Sequence, residues 1–541
     1  MKQINPVALR LSRRLQVHMV VGGAAVGLGA GVVVGLFRLA LNLADGAMRS
    51  LTAAAAGKPL AVAGWVAVMA VLWGAVTALV RWAPTSSGSG IPQIEANALG
   101  RLRIPWARTM AAKFTEGVLC ALGGLSLGRE GPSVMLGGLC GTAVAHVAGS
   151  TEGERRLLVT CGSGAGMAAA FQAPLTGVMF AVEEVHKSFS APLVIGTMSA
   201  AVTSVYVVNQ FLGTGPLIPI GFAHDLPHVT YGIVMLQGLA LGLLGACHNR
   251  GMFLGTRLYG RIRGHLPGSR YAVPFVLAAV GAFTVPELLG GGDAILGLLE
   301  HVSDRPTLVI AGLLVGKYLL TDASASSGTP GGTLYPLVAM GALAGALFGR
   351  GAVLAFGLDP AYVDNFMLLG IAGLFAGVIH APVTGCLLVF ELTGSFSALL
   401  SLSLVSLVAY VVANLTKTEG YYEHLLQPLV AGRRDCGSPL HGRSVLTETV
   451  CVAFGSPAEG RRLADLPLPA GCVPAIVERC GRRVVPSPDL TLEAADQVLF
   501  VMDTDLAPEL HDSIQDLLRG TRGSAAPDAA PPEGPADGGT G

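Results

Sequence analysis

The sequence predicts an all-α polytopic membrane protein, built from a duplicated unit of broken helices and followed by a small soluble α/β domain. Three observations predict it. The 541 residues are 52% hydrophobic and 13% charged, with a mean hydropathy of +0.60, whereas a soluble domain carries about 25% charged residues. Long apolar stretches follow one another from about residue 16 to residue 416, many of them near the roughly 20 residues a helix needs to cross hydrocarbon. Finally, two patterns rich in Gly and Pro occur twice, in one order and at nearly one separation.

Composition excludes several classes. Lys plus Arg and Asp plus Glu are 35 each, so there is no positive excess to displace counterions from nucleic acid. Nor is this a disordered acidic chain. The 74 glycines show no collagen period and suit helices that pack closely in lipid. Nine cysteines (120, 140, 161, 247, 386, 436, 451, 472, 480) contain no CxxC pair, which argues against a disulfide framework or zinc cluster and for apolar packing and reduced thiols. His224 and His228 resemble a metal pair but fall in a Gly/Pro loop that reads as solvated. Gly162-Ser163-Gly164 lies inside an apolar helical stretch rather than after a strand, so it reads as close packing and not a dinucleotide fingerprint. No enzyme chemistry, cofactor or metal is expected.

The N-terminal segment, residues 1–15, holds Lys2, Arg10, Arg13 and Arg14 ahead of an apolar run from about Gln16 to Leu43. That run is too long for a signal h-region, and the basic cluster places the N-terminus in the cytoplasm. Further stretches cover roughly 61–81, 106–125, 133–149, 156–185, 192–212, 231–247, 272–289, 307–320, 334–356, 366–392 and 398–414. Several are cut by Gly-Pro clusters. Broken helices at membrane depth are tolerated only inside protein or beside a water-filled cavity, so function is sought at the interruptions.

Ala173-Pro174-Leu175-Thr176-Gly177 with Glu183 recurs 208 residues later as Ala381-Pro382-Val383-Thr384-Gly385 with Glu391. Pro132, Gly137 and Gly141 recur as Pro336, Gly341 and Gly345 at an offset of 204. Duplicated units with interrupted helices mark secondary transporters, whose site lies where the repeats meet. The transport domain is read as residues 16–430, with repeats of about 16–215 and 230–430. Residues 431–518 return to an ordinary charge load, with β-type runs at 483–485 and 497–502 and a helix over about 507–518. The tail, 519–541, is too poor in apolar residues to fold.

Four interruptions carry chemistry. Gly88-Ser89-Gly90-Ile91-Pro92 would present a hydroxyl and free amides at a helix N-terminus, an anion site without full charge, or is simply a turn. Gly128-Arg129-Glu130-Gly131-Pro132 places an acid within apolar sequence, where ionisable groups lie on ion or proton pathways; the plainer reading is an Arg129–Glu130 pair capping a helix at the interface. Gly331-Gly332-Thr333-Leu334-Tyr335-Pro336 repeats the design without the acid. Phe171-Gln172-Ala173-Pro174 leads to Glu183-Glu184, either a solvated helix end or a functional pair. Its repeat mate keeps only Glu391, so Glu184 breaks the internal symmetry.

In this order and at these separations, the four motifs resemble the CLC family of chloride channels and chloride/proton antiporters over about residues 16–430. The resemblance implies a homodimer in the lipid bilayer, each subunit holding an ion pathway between two inverted repeats of tilted, often partial helices. It implies that Ser89, with Gly90 and Ile91, the amides of Thr333 and Leu334, and Tyr422 form a central anion site. The amides around Arg129, Glu130 and Gly131 would form the outer one. Glu130 matches the gating glutamate and Glu184 the internal proton-transfer glutamate; Lys113 matches a buried lysine that favours anions. Tyr421 leaves a one-residue ambiguity with Tyr422. Tyr335 departs from the family's usual Ala, and Glu116 is an acid where small residues are usual, either paired with Lys113 or on a proton route.

The implied function is chloride/proton exchange in which Glu130 competes with chloride for shared sites. The alternative is a passive voltage- or pH-gated chloride channel. A fluoride exporter fits Ser89 less well, and a membrane scaffold or receptor is the rival from another class. Gly460–Pro467 and Glu493–Leu499 resemble the C-terminal lobe of regulator-of-potassium-conductance proteins, a TrkA-C-like domain. Its expected role is assembly or stability, with a cyclic dinucleotide as a candidate regulatory ligand. The expected location is a bacterial inner membrane with both termini cytoplasmic.

Overall fold

The computed structural model describes residues 6–214, 218, 220–223, 226–262, 268–431, 445–479, 482–503 and 507–519. His224, Cys436, Cys480 and the tail after residue 519 lie outside them. The chain forms two compact units that divide between Arg434 and Asp435.

The first unit is helical. Its first half contains α1 (Pro6–Ala55), α2 (Pro59–Trp82), α3 (Ile91–Ala98), α4 (Trp106–Leu122), α5 (Glu130–Val147), α6 (Glu152–Phe171), α7 (Pro174–Phe180) and α8 (Ala191–Leu212). The second half repeats this order as α9 (Tyr231–Arg261), α10 (Ser269–Thr284), α11 (Asp293–Leu299), α12 (Thr307–Ser326), α13 (Leu334–Phe356), α14 (Tyr362–Ile379), α15 (Pro382–Thr393) and α16 (Leu399–Leu415), and α17 (Tyr421–Ala431) closes the unit. Among the described residues seven helices are long and apolar enough to cross a membrane. The protein is a multi-pass integral membrane protein.

Two apolar stretches, 156–185 and 366–392, are each split, the first at the Phe171–Pro174 interruption and the second at its repeat mate. The chain leaves α6 through Gln172 at φ +56° and α14 through His380 at φ +68°, then restarts at Pro174 and Pro382. A proline lacks the N–H an interior position would donate, and it pushes the preceding residue out of helical geometry. Apolar runs alone cannot show this, because both sides of each break are buried. The 272–289 stretch likewise ends its α-helix at Thr284, before Pro286.

Close packing of small residues joins α5 to α6 and α13 to α14. A Cβ on Gly162 would collide with the carbonyl of Gly137, and one on Gly370 with that of Gly341. Without a strong hydrophobic force between helices in lipid, such backbone approach supplies the contact. Of the seven cysteines described, five are buried as expected of packing residues, while Cys247 and Cys451 are exposed.

The second unit holds a four-stranded antiparallel sheet, β1 (Val445–Cys451), β2 (Cys472–Arg479), β3 (Arg482–Val484) and β4 (Gln497–Asp503), in the order β1-β4-β2-β3, followed by α18 (Ala507–Arg519). Its core gathers Val450, Val477, Val498 and Phe500 from the strands with Ile514 and Leu518 from α18.

Candidate functional site

The site is built from backbone breaks that the two repeats tie together. Gly88 N–H donates to Gly328 O at 2.9 Å and Gly331 N–H to Gly88 O at 3.1 Å, while Gly128 and Gly332 exchange both N–H···O bonds at 2.6 and 2.9 Å. Such reciprocal bonding is what a local two-fold produces. It brings the N-termini of α3, α5 and α13 together. A Cβ on Gly131 would lie 2.8 Å from Ser89 O and 2.9 Å from the Cα of Gly332, so only glycine allows this approach. Gly90 caps α3 at φ +93°, a left-handed conformation that glycine adopts without penalty.

Glu130, the first residue of α5, is fully buried. Its Oε2 accepts a hydrogen bond from the Tyr335 backbone N–H at 3.2 Å, whereas Oε1 has none among the described residues. A carboxylate from one repeat thus sits on an amide in the first turn of a helix from the other. The Arg129 guanidinium stands over the Tyr335 ring, 4.5 Å from its centre, with Nε 3.9 Å from Glu130 Oε1. Interfacial capping is therefore the wrong description of this pair. The Tyr335 hydroxyl donates to Asp293 at 2.7 Å. A cavity of about 380 Å³ opens here, lined among others by Arg129, Pro132, Tyr335, Asp45 and Asp293.

Ser89 is buried, and its Oγ accepts from Ile91 N–H at 3.3 Å. Tyr422 in the first turn of α17 is fully buried and interacts with Thr333, yet its hydroxyl has no hydrogen-bond partner of good geometry among the described residues. An orphaned buried hydroxyl is a donor available to a ligand. Tyr421 packs edge-on against it, ring centres 5.1 Å apart. Glu130 and Glu184 both act electrostatically on Tyr422.

Lys113 is fully buried, and its ammonium donates to Ser86 O at 2.8 Å and Gly88 O at 2.5 Å, gripping the loop that carries Ser89. Glu116 accepts from Ser86 Oγ at 2.8 Å, so acid and lysine meet through Ser86. Sequence reading missed two residues here. Lys317 repeats Lys113, donating to Leu288 O at 3.0 Å and Gly290 O at 2.7 Å. It stands 204 residues after Lys113, the offset of the Pro132 match, so the signal was present. Tyr335 was noted only as a wall residue, and the amides named were those of Thr333 and Leu334. Which amide in the first turn of α13 faces Glu130 depends on how two helices approach.

Glu184 lies in a single π-helical turn, Ala181–His186, and is buried. Glu183 points elsewhere, accepting from Thr384 N–H at 2.8 Å and Thr384 Oγ1 at 2.7 Å. Neither is the solvated helix end that two adjacent acids suggest.

Cross-linked helix N-termini around a buried acid define a broken-helix membrane transporter. Residues 66–414 match the family described as voltage gated chloride channel, and the chain belongs to that family. Residues 448–515 match the TrkA-C domain. The chain is 33% identical over 359 residues to the H(+)/Cl(-) exchange transporter ClcA of Vibrio cholerae serotype O1 (strain M66-2), covering 64% of this chain and 75% of the relative. It is 31% identical over 419 residues to the ClcA of Vibrio parahaemolyticus, covering 74% and 88%. Its fold is similar to the crystal structure of a slow cyanobacterial Cl-/H+ antiporter, with TM-score 0.72 and 28% identity over 77% of this chain and 98% of that one.

Proposed function

We propose that the protein exchanges chloride for protons across a membrane, with Glu130 and chloride competing for one set of uncharged donors. The observation that carries this reading is the Glu130 carboxylate seated on the Tyr335 amide at the meeting point of both repeats. An anionic side chain held by backbone N–H occupies a place suited to an anion. Partial charges from Ser89, Tyr422 and the amides of Thr333, Leu334 and Gly131 would bind chloride weakly enough for it to leave. Protonation removes the Glu130 charge, frees the donors and carries one proton. Glu184 would pass that proton to or from the opposite side, and the relatives named as exchangers favour this over a passive channel.

The further reading is a homodimer in a bacterial inner membrane with cytoplasmic termini. The C-terminal domain would serve assembly or stability, and a cyclic dinucleotide is the ligand class to test on it. Simultaneous chloride and pH recording from proteoliposomes tests the main claim: coupled, opposite movement of both ions is expected, and chloride flux with no proton movement would replace exchange by the channel.

A further inference from the structure

Elements of the site meet again at a further buried acid. Glu95 lies one helical turn beyond Ile91 on α3, with no exposed surface. Its Oε1 is 2.9 Å from Lys187 Nζ, and its Oε2 has no hydrogen-bond partner among the described residues. Lys187 ends the π turn that carries Glu184, at φ +52°. Both features are unusual: π turns gather at functional sites, and a left-handed non-glycine residue persists only where its surroundings hold it. The lysine side chain is 39% exposed, so it stands between the buried acids and solvent. Glu184 and Glu423, the neighbour of Tyr422, also interact electrostatically with this ammonium.

We propose that Glu95 is a third proton-carrying group, sharing the Lys187 ammonium with Glu184 at the solvent end of the proton branch. Glu423 is exposed, which leaves two buried carboxylates against one ammonium. Fully ionised, that pair keeps an uncompensated negative charge out of water, which is costly. One proton shared between them removes the cost, and the two titrate as a unit. In the step itself an O–H bond to a solvent donor breaks as one forms on Glu95; that proton then moves to the Glu184 carboxylate, and charge is conserved throughout. Other charged groups near α3 are engaged elsewhere: Arg155 on Asn97 at 2.8 Å, Arg156 on Leu99 O at 2.7 Å, and His186 on Thr160 at 3.2 Å. From α5 the neighbouring side chain is Thr142.

This inference rests on the exchange reading, and the test separates the two. In proteoliposomes recorded for chloride and pH together, Glu95→Gln should lower proton movement about a hundredfold or more, the scale of losing a positioned proton-transfer group, while chloride movement persists. Lys187→Gln should shift the pH profile of proton movement to higher pH, because the unneutralised acids hold their proton longer, and Lys187→Arg should restore it. Should Glu95→Gln fail to fold, the Lys187 pair still decides the matter. Wild-type proton coupling in Glu95→Gln, or an unmoved pH profile in Lys187→Gln, overturns the role of Glu95 and leaves exchange standing. Absence of coupled proton movement in the wild-type protein removes the exchange reading itself.

Discussion

Glu183 and Glu391 cap each other's repeats. Glu183 accepts hydrogen bonds from Val383 N–H at 3.2 Å and from Thr384 N–H and Oγ1 at 2.8 and 2.7 Å, at the start of the helix that bears Glu391. Glu391 does the same to Leu175 N–H at 2.8 Å and to Thr176 N–H and Oγ1 at 2.7 Å each. Each acid meets the free amides and positive end of a helix whose proline start leaves them open. Glu183→Ala and Glu391→Ala should each lose about 1–3 kcal/mol, the cost of leaving such donors unpaired. Thermal unfolding in detergent checks this; a Tm unmoved by both would show that water replaces the acid freely.

Replacing Glu130 with Ala removes the anion that competes with chloride. Passive chloride flux without proton movement is expected, and proton uptake driven by a chloride gradient in the variant would refute it. In the wild-type protein turnover should rise as pH falls, because protonation of Glu130 is the opening step. A flat profile contradicts that sequence of events.

Glu184→Gln keeps shape but cannot carry a proton as the acid does. Coupling should weaken while chloride binding, measured by calorimetry, is preserved. An unchanged ratio of chloride to protons would assign the proton to another group.

Gly332→Ala should disable the site from the backbone side. The new Cβ would stand 2.6 Å from the Gly131 amide nitrogen, and backbone atoms cannot turn away as a side chain can. Overpacking of this kind costs about 1–3 kcal/mol, and chloride flux should fall with it. Gly351→Ala, where a Cβ meets nothing within 4 Å, is the control and should transport normally.

The C-terminal domain has its own acid-sensitive tie. Arg479 donates from Nε to Asp496 Oδ1 at 2.8 Å and from Nη2 to Oδ2 at 2.7 Å, and the Glu493 amide adds 2.9 Å to Oδ2. Burial works to raise the Asp496 carboxyl, but these bonds outweigh it and hold the group below its ordinary value. A carboxyl depressed in the folded state contributes stability above its unfolded value of about 4, and loses it as pH falls through the folded value. Limited proteolysis should therefore cut the domain faster at acid pH. Asp496→Asn should be cut faster at neutral pH and respond less to acid.

The sequence by itself determined the membrane class, the duplication and the four interruptions, because lipid demands long apolar runs and a duplicated gene leaves its spacing behind. Ser89, Glu130 and Thr333 could be named from motifs that need particular backbone chemistry at particular places, and Tyr422, with Tyr421 as its rival, from the family resemblance. Tertiary structure alone decided what those residues meet. It turned Glu183 to its repeat mate and Glu184 inward, though they are neighbours in the chain, and it chose Tyr335 as the amide beneath Glu130. It also brought Glu95 and Lys187 together across 92 residues. Periodicity records which face of a helix is apolar, but pairing across a two-fold depends on how separate helices approach, and no local pattern encodes that distance.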